Sequence, residues 1–424
     1  MLRPTENHNR PASVRIGRTL PPAVASVSAF HILQGAKAML KGQAETDRFT
    51  SEIEAYFNVE HCFLLSSGKA ALAIILKALK AMHPGRDEVL VPAFTCYSVP
   101  SAIVRAGLKV RLGDVNPETL DFDFEQLKTH VQSESRLLAV VCPHLFAMPA
   151  DLNAAGSVFR DTKVGLVEEA APAMGTVSGN AFLGTLGDVG FFSLGRGKAF
   201  STVEGGVIVA RSSEIALKIQ DIMEEVGFAA MTYPFKILAY AMALAVLMRP
   251  CLFWIPKSIP ALKLGQTIYD PGFPIHRLSP FQAGLARNWQ ARIAGMQQIR
   301  KQNGSFWEKE LKRFAWLQPI PAKPAPGPET VPLIRFPVLV RDFALRRKLL
   351  AKSEKRGLGI MPVYPDSIDR VPGLDIVNKN QSFPGAEQCA GRLVTFPVHG
   401  LVTAKDRRKI LLCLEEMENS GNGS

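Results

Sequence analysis

The sequence predicts an α/β protein: a large domain on a mostly parallel sheet, followed by a smaller C-terminal α/β domain. Short apolar runs alternate with helix-length segments over residues 45–210. Strands that are apolar throughout are typical of parallel sheets covered by helices on both faces. A stretch at residues 317–332 with six prolines then indicates a stiff connection. A length of 424 residues also favours two domains.

Each element follows from its local pattern. Residues 49–57 have amphipathic helical spacing, residues 64–67 end a short strand, and residues 69–82 form a helix rich in Ala and Leu. Strand-like runs follow at residues 88–94, 109–115, 136–144, 163–171, 188–193 and 205–210. After the prolines, LIRFPVLV and RLVTFPVH predict strands and AKDRRKILLCLEEME predicts a terminal helix. We therefore expect a loose N-terminal arm over 1–30, a large domain over 31–310 and a small domain over 311–424.

Charge and cysteine usage narrow the functional classes. The net charge is +12, but the basic residues are scattered, with neither zinc-finger spacing nor an aromatic RNA-binding signature. The positive charge is therefore better explained by a phosphorylated ligand or by a role in solubility than by nucleic-acid binding. The six cysteines form no CxxC pair, which suits a reducing cytoplasm. The polar, basic N-terminus has no apolar core of a secretory signal.

An uncharged run lies at residues 237–248. Its twelve residues are too few to span a bilayer, which needs ~20. The run predicts a buried or subunit-facing helix. The alternative is a helix lying on a membrane surface, with peripheral contact through residues 235–256.

One lysine, Lys198, stands in the Gly/Ser/Thr-rich loop FFSLGRGKAFSTVEGG. A lysine bonds to a cofactor aldehyde only as an uncharged amine, which burial and neighbouring cations such as Arg196 favour. Alone, a lysine in a glycine loop is usually a solvated surface residue. The covalent interpretation therefore needs partners elsewhere in the chain.

A strand-to-helix turn supplies the first partner. Ser67 and Gly68 stand where backbone N–H groups of a helix N-terminus bind phosphate, although Ser67 could simply cap the helix. Ser193 could add a hydroxyl to the same phosphate.

The acids Glu168 and Glu169 end an apolar strand, where a carboxylate is costly unless it is paired. A carboxylate against a pyridinium nitrogen would make that ring an electron sink. The alternative is a surface acid beside a buried one. Together, a phosphate cradle, a ring acid and an imine-forming lysine predict a site for pyridoxal 5′-phosphate (PLP).

Several longer motifs carry a family resemblance. In chain order they are SSGKAAL, VPAFTCYSVPSAIVRAGLKVRLGDVNPETLDFD, HLFAMPAD, VEEAAPAMG, GTLGDVGFFSLGRGK, EGG, HRLSPFQAGLA and FPVHGLVT. With these the chain resembles the DegT/DnrJ/EryC1/StrS family of PLP-dependent sugar aminotransferases, closely over 49–210 and more loosely over about 275–417. The resemblance implies the PLP-dependent transferase fold (aspartate aminotransferase type I). It also implies a homodimer with active sites at the subunit interface, and amino transfer, usually from glutamate, to a keto sugar nucleotide.

The resemblance also implies roles for individual residues. Lys198 matches the Schiff-base lysine, and Ser193 matches the phosphate-binding serine. Gly68 and Lys69 match the phosphate-cradling Gly-Thr pair, and Glu169 matches the aspartate that pairs with the pyridine nitrogen. Because Lys69 is a cation where threonine is usual, we hypothesise that it contacts the cofactor phosphate. The alternative is a solvated lysine.

Four positions depart from the family pattern. They are Glu169 for aspartate, Pro172 for glutamine, Cys96 for the aromatic that covers the ring, and Ile275 for a partner-chain asparagine. Tyr97 could replace the missing aromatic. His144 aligns with a family histidine, although a satisfied strand-end histidine is the simpler interpretation. A hydrophobic insert at residues 228–271 replaces a shorter polar loop, and could shape the substrate entrance, the dimer contact or membrane attachment.

The sequence thus predicts Lys198 as the catalytic residue and no metal site. The predicted cofactor-binding residues are Ser67, Gly68, Lys69, Cys96, Tyr97, His144, Glu169, Ser193 and Lys198. The predicted function is a cytoplasmic, homodimeric PLP-dependent aminotransferase acting on a keto sugar nucleotide and glutamate, with no nucleic-acid partner. The alternatives are a non-catalytic or regulatory PLP-fold protein and a PLP-dependent sugar dehydratase. A membrane-peripheral location also stays open.

Overall fold

The computed structural model of the chain describes residues 15–131, 136–160, 162–259, 267–322 and 330–421. The strands are β1 (His61–Leu65), β2 (Glu88–Pro92), β3 (Lys109–Gly113), β4 (Val115–Asn116), β5 (Asp121–Phe122), β6 (Leu137–Pro143), β7 (Gly165–Glu169), β8 (Val177–Ser178), β9 (Ala181–Phe182), β10 (Val189–Ser193), β11 (Gly206–Ala210), β12 (Leu317–Pro319), β13 (Phe336–Val340) and β14 (Leu393–Phe396).

The α-helices of these ranges are α1 (Ala29–Lys41), α2 (Gln43–Phe57), α3 (Gly68–Met82), α4 (Ser98–Arg105), α5 (Phe124–Val131), α6 (Leu152–Phe159), α7 (Ser213–Glu225), α8 (Tyr233–Leu247), α9 (Trp254–Lys257), α10 (Pro280–Leu285), α11 (Trp289–Leu311), α12 (Phe343–Arg356), α13 (Pro384–Arg392) and α14 (Ala404–Gly421).

Seven strands form the central sheet, in the order β1-β11-β10-β7-β6-β2-β3. Only β11 runs against its neighbours, and the other pairs are parallel. Every residue of β2 and β6 is buried, because helices cover both faces of the sheet. The predicted mostly parallel sheet is confirmed, and so are its apolar strands.

Because most strands of the central sheet are parallel, their carboxyl ends lie at one edge of the sheet. Strands β1, β2, β6, β7 and β10 all point the same way, so their carboxyl ends meet there. Ligands of open α/β sheets bind at this edge. The segments that follow these strands carry the predicted site residues.

The C-terminal part builds a second, three-stranded antiparallel sheet, in the order β12-β13-β14. Its apolar residues belong to the same continuous core as the large sheet. The indole N–H of Trp307 on α11 donates a 3.0 Å hydrogen bond to the carbonyl of Pro397, which joins the long helix to the small sheet.

The N-terminal arm, predicted as loose over 1–30, is docked from residue 15 onward. Leu20 and Val24 are buried, and Arg18 forms an ion pair with Asp406 on α14. His399 donates from Nε2 to the carbonyl of Pro21 at 2.7 Å. Apolar burial and paired polar groups therefore fix this segment, while residues 1–14 lie outside the described ranges.

The hydrophobic insert forms the fifteen-residue helix α8. Ile237 and Ala241 are buried in a small apolar cluster shared with α10, whereas Phe235, Met242 and Val246 are exposed. Within the described ranges, no helix combines the length and apolarity needed to cross a membrane.

Candidate active site

The N-terminus of α3 forms a close-fitting cradle. Ser67 caps the helix, its hydroxyl accepting from the N–H of Ala70 at 3.1 Å. A Cβ at Gly68 would lie 2.9 Å from Cβ of Ser193, and a Cβ at Gly206 would lie 2.2 Å from the carbonyl oxygen of Ser67. Only glycine permits these approaches. Since first-turn N–H groups have no intrahelical acceptor, the turn is suited to binding an anion.

A cavity of about 550 Å³ opens beside this cradle. It is lined by seven of the predicted residues: Ser67, Gly68, Lys69, Cys96, Glu169, Ser193 and Lys198. The residues come from the ends of four strands and from the lysine loop, so the tertiary structure brings together what the sequence separates. Thr267, Ile268 and Asp270 of the insert also line the cavity, which places the insert at its wall.

Two arginines of α11 hold the lysine loop by its backbone. Arg300 donates from Nη2 to the carbonyl of Lys198 at 2.9 Å and from Nη1 to that of Ala199 at 3.3 Å. Arg292 donates to the carbonyl of Ser201 at 3.3 Å. Burial lowers the pKa of each arginine to about 10, which leaves both charged at neutral pH. Sequence reasoning missed these residues, although their eight-residue spacing places them on one helix face.

The adjacent acids at the end of β7 have different environments. Glu168 is fully buried, and its carboxylate accepts from Nε2 of His144 at 2.9 Å. It also accepts from the backbone N–H groups of Gly184 at 2.7 Å, of Gly187 at 2.5 Å and of Leu186. Glu168 is therefore a structural acceptor that ties the strand end to the following loop.

Glu169 instead lines the cavity. Burial raises the pKa of its carboxyl to about 6, against the opposing electrostatic influence of the nearby Lys198 and His144. Both acids are buried, so neither is the surface acid of the alternative interpretation. Glu169 is the one placed to meet a ligand.

Two predicted residues do not line the cavity. The hydroxyl of Tyr97 donates to the carbonyl of Asp366 at 3.1 Å and accepts from its N–H at 2.9 Å, which ties the segment after β2 to the C-terminal part of the chain. His144 is fully buried, and its Nδ1 accepts from the N–H of Ala150 at 2.9 Å while Nε2 contacts Glu168. The polar atoms of both side chains thus have hydrogen-bond partners within the protein. For His144 this agrees with the simpler interpretation, a strand-end histidine whose hydrogen bonds are satisfied.

Lys69 lies in the cavity wall beside the insert. Its Nζ is 3.5 Å from Oδ2 of Asp270 and 4.6 Å from the centre of the Phe273 ring. The ammonium is thus shared between the cavity and a partly exposed acid of the insert. The hypothesis that it contacts a phosphate stays a prediction.

A second cavity, of about 350 Å³, adjoins the first and shares Cys96, Glu169 and Lys198 with it. Arg335 and Tyr364 of the C-terminal part line it. Sequence reasoning missed both residues, because their positions relative to Lys198 depend on how the C-terminal part packs against the large sheet.

The sequence of the chain also matches a known protein family. The family model described as the DegT/DnrJ/EryC1/StrS aminotransferase family matches residues 28–415. The chain belongs to this family. The resemblance seen in the sequence is therefore confirmed, and the match includes both the seven-stranded and the three-stranded sheet.

Individual members of the family are distant in sequence. The GDP-perosamine synthase of Vibrio cholerae is 28% identical over 194 residues, which are 46% of this chain and 52% of that protein. The chain spans about half the length of the curated relatives it matches. The sugar aminotransferase CalS13 of Micromonospora echinospora has 20% identity and a TM-score of 0.73, covering 94% of this chain and 99% of that one.

A dehydratase shares the same fold. The GDP-4-keto-6-deoxy-D-mannose-3-dehydratase of E. coli, solved with bound hydrated PLP, has 16% identity and a TM-score of 0.73, covering 94% of this chain and 100% of that one. These structural similarities confirm the predicted PLP-dependent transferase fold. At such identities they establish the fold and not the reaction.

Proposed function

We propose that this family member is a PLP-dependent aminotransferase that transfers an amino group, with glutamate as donor, to a keto sugar carried by a nucleotide. One observation carries the proposal. A single cavity contains the amine-bearing loop of Lys198, the buried acid Glu169 and the glycine-shaped cradle at Gly68 and Ser193.

The residues present fit PLP. A cavity of about 550 Å³ is within the usual range for cofactor sites. The helix N-terminus at Gly68 and the hydroxyl of Ser193 would hold the phosphate. Glu169 would face the ring nitrogen, because its buried carboxyl group lines the same cavity as Lys198.

The protein's own groups then have separable roles. When bound, PLP supplies an electron sink for a carbanion at the substrate carbon. Glu169 would keep the ring nitrogen of bound PLP protonated. Nζ of Lys198 takes the proton from the substrate carbon as a base and returns it as an acid. Arg292 and Arg300 hold the backbone of the loop, so the position from which the Lys198 side chain extends into the cavity is fixed.

Three further observations support the substrate class. Named members of the family act on sugars, as GDP-perosamine synthase and CalS13 do. The net charge of +12 favours anionic ligands such as a nucleotide diphosphate. The insert contributes the polar side chains of Thr267 and Asp270 to the cavity wall, where they could bind the hydroxyl groups of a sugar.

We further propose that the protein is a cytoplasmic homodimer. Size-exclusion chromatography with light scattering would measure its oligomeric state.

Spectroscopy of the purified protein tests the proposal. The protein should be yellow with PLP, should lose that absorbance with borohydride, and should lose it in Lys198→Ala. Glutamate should convert the bound cofactor to the pyridoxamine form. A colourless protein that takes up no added PLP would contradict the proposal and favour a non-catalytic role. Coloured protein that releases water from a keto sugar without amination would instead identify a dehydratase.

A further inference from the structure

Helix α8 of the hydrophobic insert exposes an apolar stripe. At about 100° per residue, Phe235, Met242 and Val246 lie on one face of the helix, and their side chains are 61%, 50% and 49% exposed. Ile237 and Ala241 lie on the opposite face, which is buried against α10. A helix that is apolar on both faces needs a second apolar environment on its outer face.

Neighbouring segments expose further apolar side chains. Phe228 and Met231 precede α8 and are exposed, and we refer to them and the stripe of α8 together as the α8 face. Helix α1 packs against α8 and exposes Leu33 and Leu40. Single exposed apolar residues are ordinary on protein surfaces, whereas so many on two adjoining helices indicate an interaction surface.

The charged residues of these segments are all basic. Residues 15–44, which include α1, and residues 226–259, which include α8 and α9, contain no Asp or Glu. Lys236 and Arg249 are exposed near the two ends of α8, and Lys37 is exposed on α1. Apolar side chains combined with cations, and with no acids between them, are complementary to a bilayer with anionic headgroups.

A second copy of the chain matches the α8 face less well. A two-fold contact pairs a surface patch with itself. It would therefore bring Lys236 and Arg249 of one copy close to the same cations of the other, with no acid of residues 226–259 to separate them. Like charges across an interface weaken association, whereas an anionic bilayer neutralises them.

We propose that the α8 face binds the surface of an anionic membrane. Its apolar side chains enter the boundary between headgroups and acyl chains, and Lys236 and Arg249 lie near the lipid phosphates. The proposal is independent of the amino-transfer chemistry. Met248, the C-cap residue of α8, lines the second cavity, so a bound bilayer would lie close to the active site.

Sedimentation with lipid vesicles measures this binding. The full chain should sediment with vesicles made of equal parts of phosphatidylcholine and phosphatidylglycerol, and should bind about tenfold more weakly to pure phosphatidylcholine. Phe235→Ser should weaken binding to the anionic vesicles about tenfold, because an inserted aromatic side chain is lost. Leu217→Ser is the matched control, since Leu217 lies on α7, outside the insert, and is 59% exposed.

A charge variant tests the electrostatic part separately. Lys236→Gln should weaken binding to the anionic vesicles about fivefold, and high salt should remove this difference. Lys309→Gln, on an exposed site of α11, is the matched control and should bind like wild type. Thermal unfolding checks that each variant is folded, and Lys236→Gln keeps the test valid if Phe235→Ser is not.

Wild-type protein that fails to sediment with the anionic vesicles would overturn the proposal, and so would equal binding by Phe235→Ser and Leu217→Ser. Light scattering identifies the other occupant. If no protein binds the vesicles and Phe235→Ser lowers the mass of the protein in solution, the α8 face joins two copies of the chain and the membrane proposal is wrong. None of these measurements depends on whether the protein transfers an amino group.

Discussion

Nη2 of Arg300 donates a 2.9 Å hydrogen bond to the backbone carbonyl of Lys198. The arginine lies on α11, more than a hundred positions along the chain, and holds the loop through its backbone. The side-chain amine of Lys198 is left to line the cavity. Anchoring and chemistry thus use different atoms of the same residue.

Replacing Arg300 with methionine should destabilise the protein. The buried carbonyls of Lys198 and Ala199 would lose their donor, at a cost of about 1–3 kcal/mol in the free energy of unfolding. Urea unfolding measures this loss, and Lys309→Met on an exposed site of the same helix is the control. We also expect kcat to fall more than KM rises, because the amine is mispositioned. Equal stability of the two variants would argue against a loop anchor.

Lys69→Ala should weaken PLP binding about tenfold, because a charge-assisted hydrogen bond to the phosphate is lost. Equilibrium dialysis of the cofactor against the purified protein gives the dissociation constant. Asp270→Asn is the matched variant, since it removes the 3.5 Å ion pair and keeps the ammonium. The cofactor should bind this variant at least as tightly as wild type. If Lys69→Ala binds PLP with full affinity, Lys69 does not contact the phosphate and serves only to pair with Asp270 of the insert.

Glu168→Gln should cost about 2–4 kcal/mol in the free energy of unfolding. An amide supplies one acceptor oxygen, whereas the Glu168 carboxylate accepts from three backbone N–H groups and from His144. Glu169→Gln is the control one position away, and should retain or gain stability at neutral pH, because it removes a buried charge. Thermal and urea unfolding distinguish the two. A larger loss in Glu169→Gln would reverse the assigned roles.

The stability of the cofactor-free protein should fall as pH rises through the titration of Glu169. The pKa of this carboxyl is about 6 in the folded protein, against an ordinary value of 4.5, so the unfolded chain releases the proton first. The contribution is fully present below about pH 4.5 and is lost by pH values above about 6, a change of ~2 kcal/mol. Urea unfolding across this range measures it. Glu169→Gln should remove this component of the pH profile, and an unchanged profile would contradict the assignment.

Local patterns were sufficient for the secondary structure of the large sheet. The runs at residues 89–94 and 137–143 are apolar throughout because β2 and β6 are buried on both faces, and such a run can be recognised from the sequence alone. The docked N-terminal arm was not predictable in this way. Its order depends on contacts such as that between Arg18 and Asp406, which are remote in sequence.

For the site, the sequence by itself determined the residues that close packing or reaction chemistry requires. Gly68 must lack a side chain, Lys198 must bear an amine, and the strand ends must carry the acids, so each has a local signature. The tertiary structure alone decided that Glu169 and not Glu168 faces the cavity, and that Arg335 lines the adjoining cavity from the C-terminal part of the chain. The physical reason is that the alternation of side chains along a strand determines only on which side of that strand each residue lies. What lies opposite depends on how helices, loops and domains pack around it.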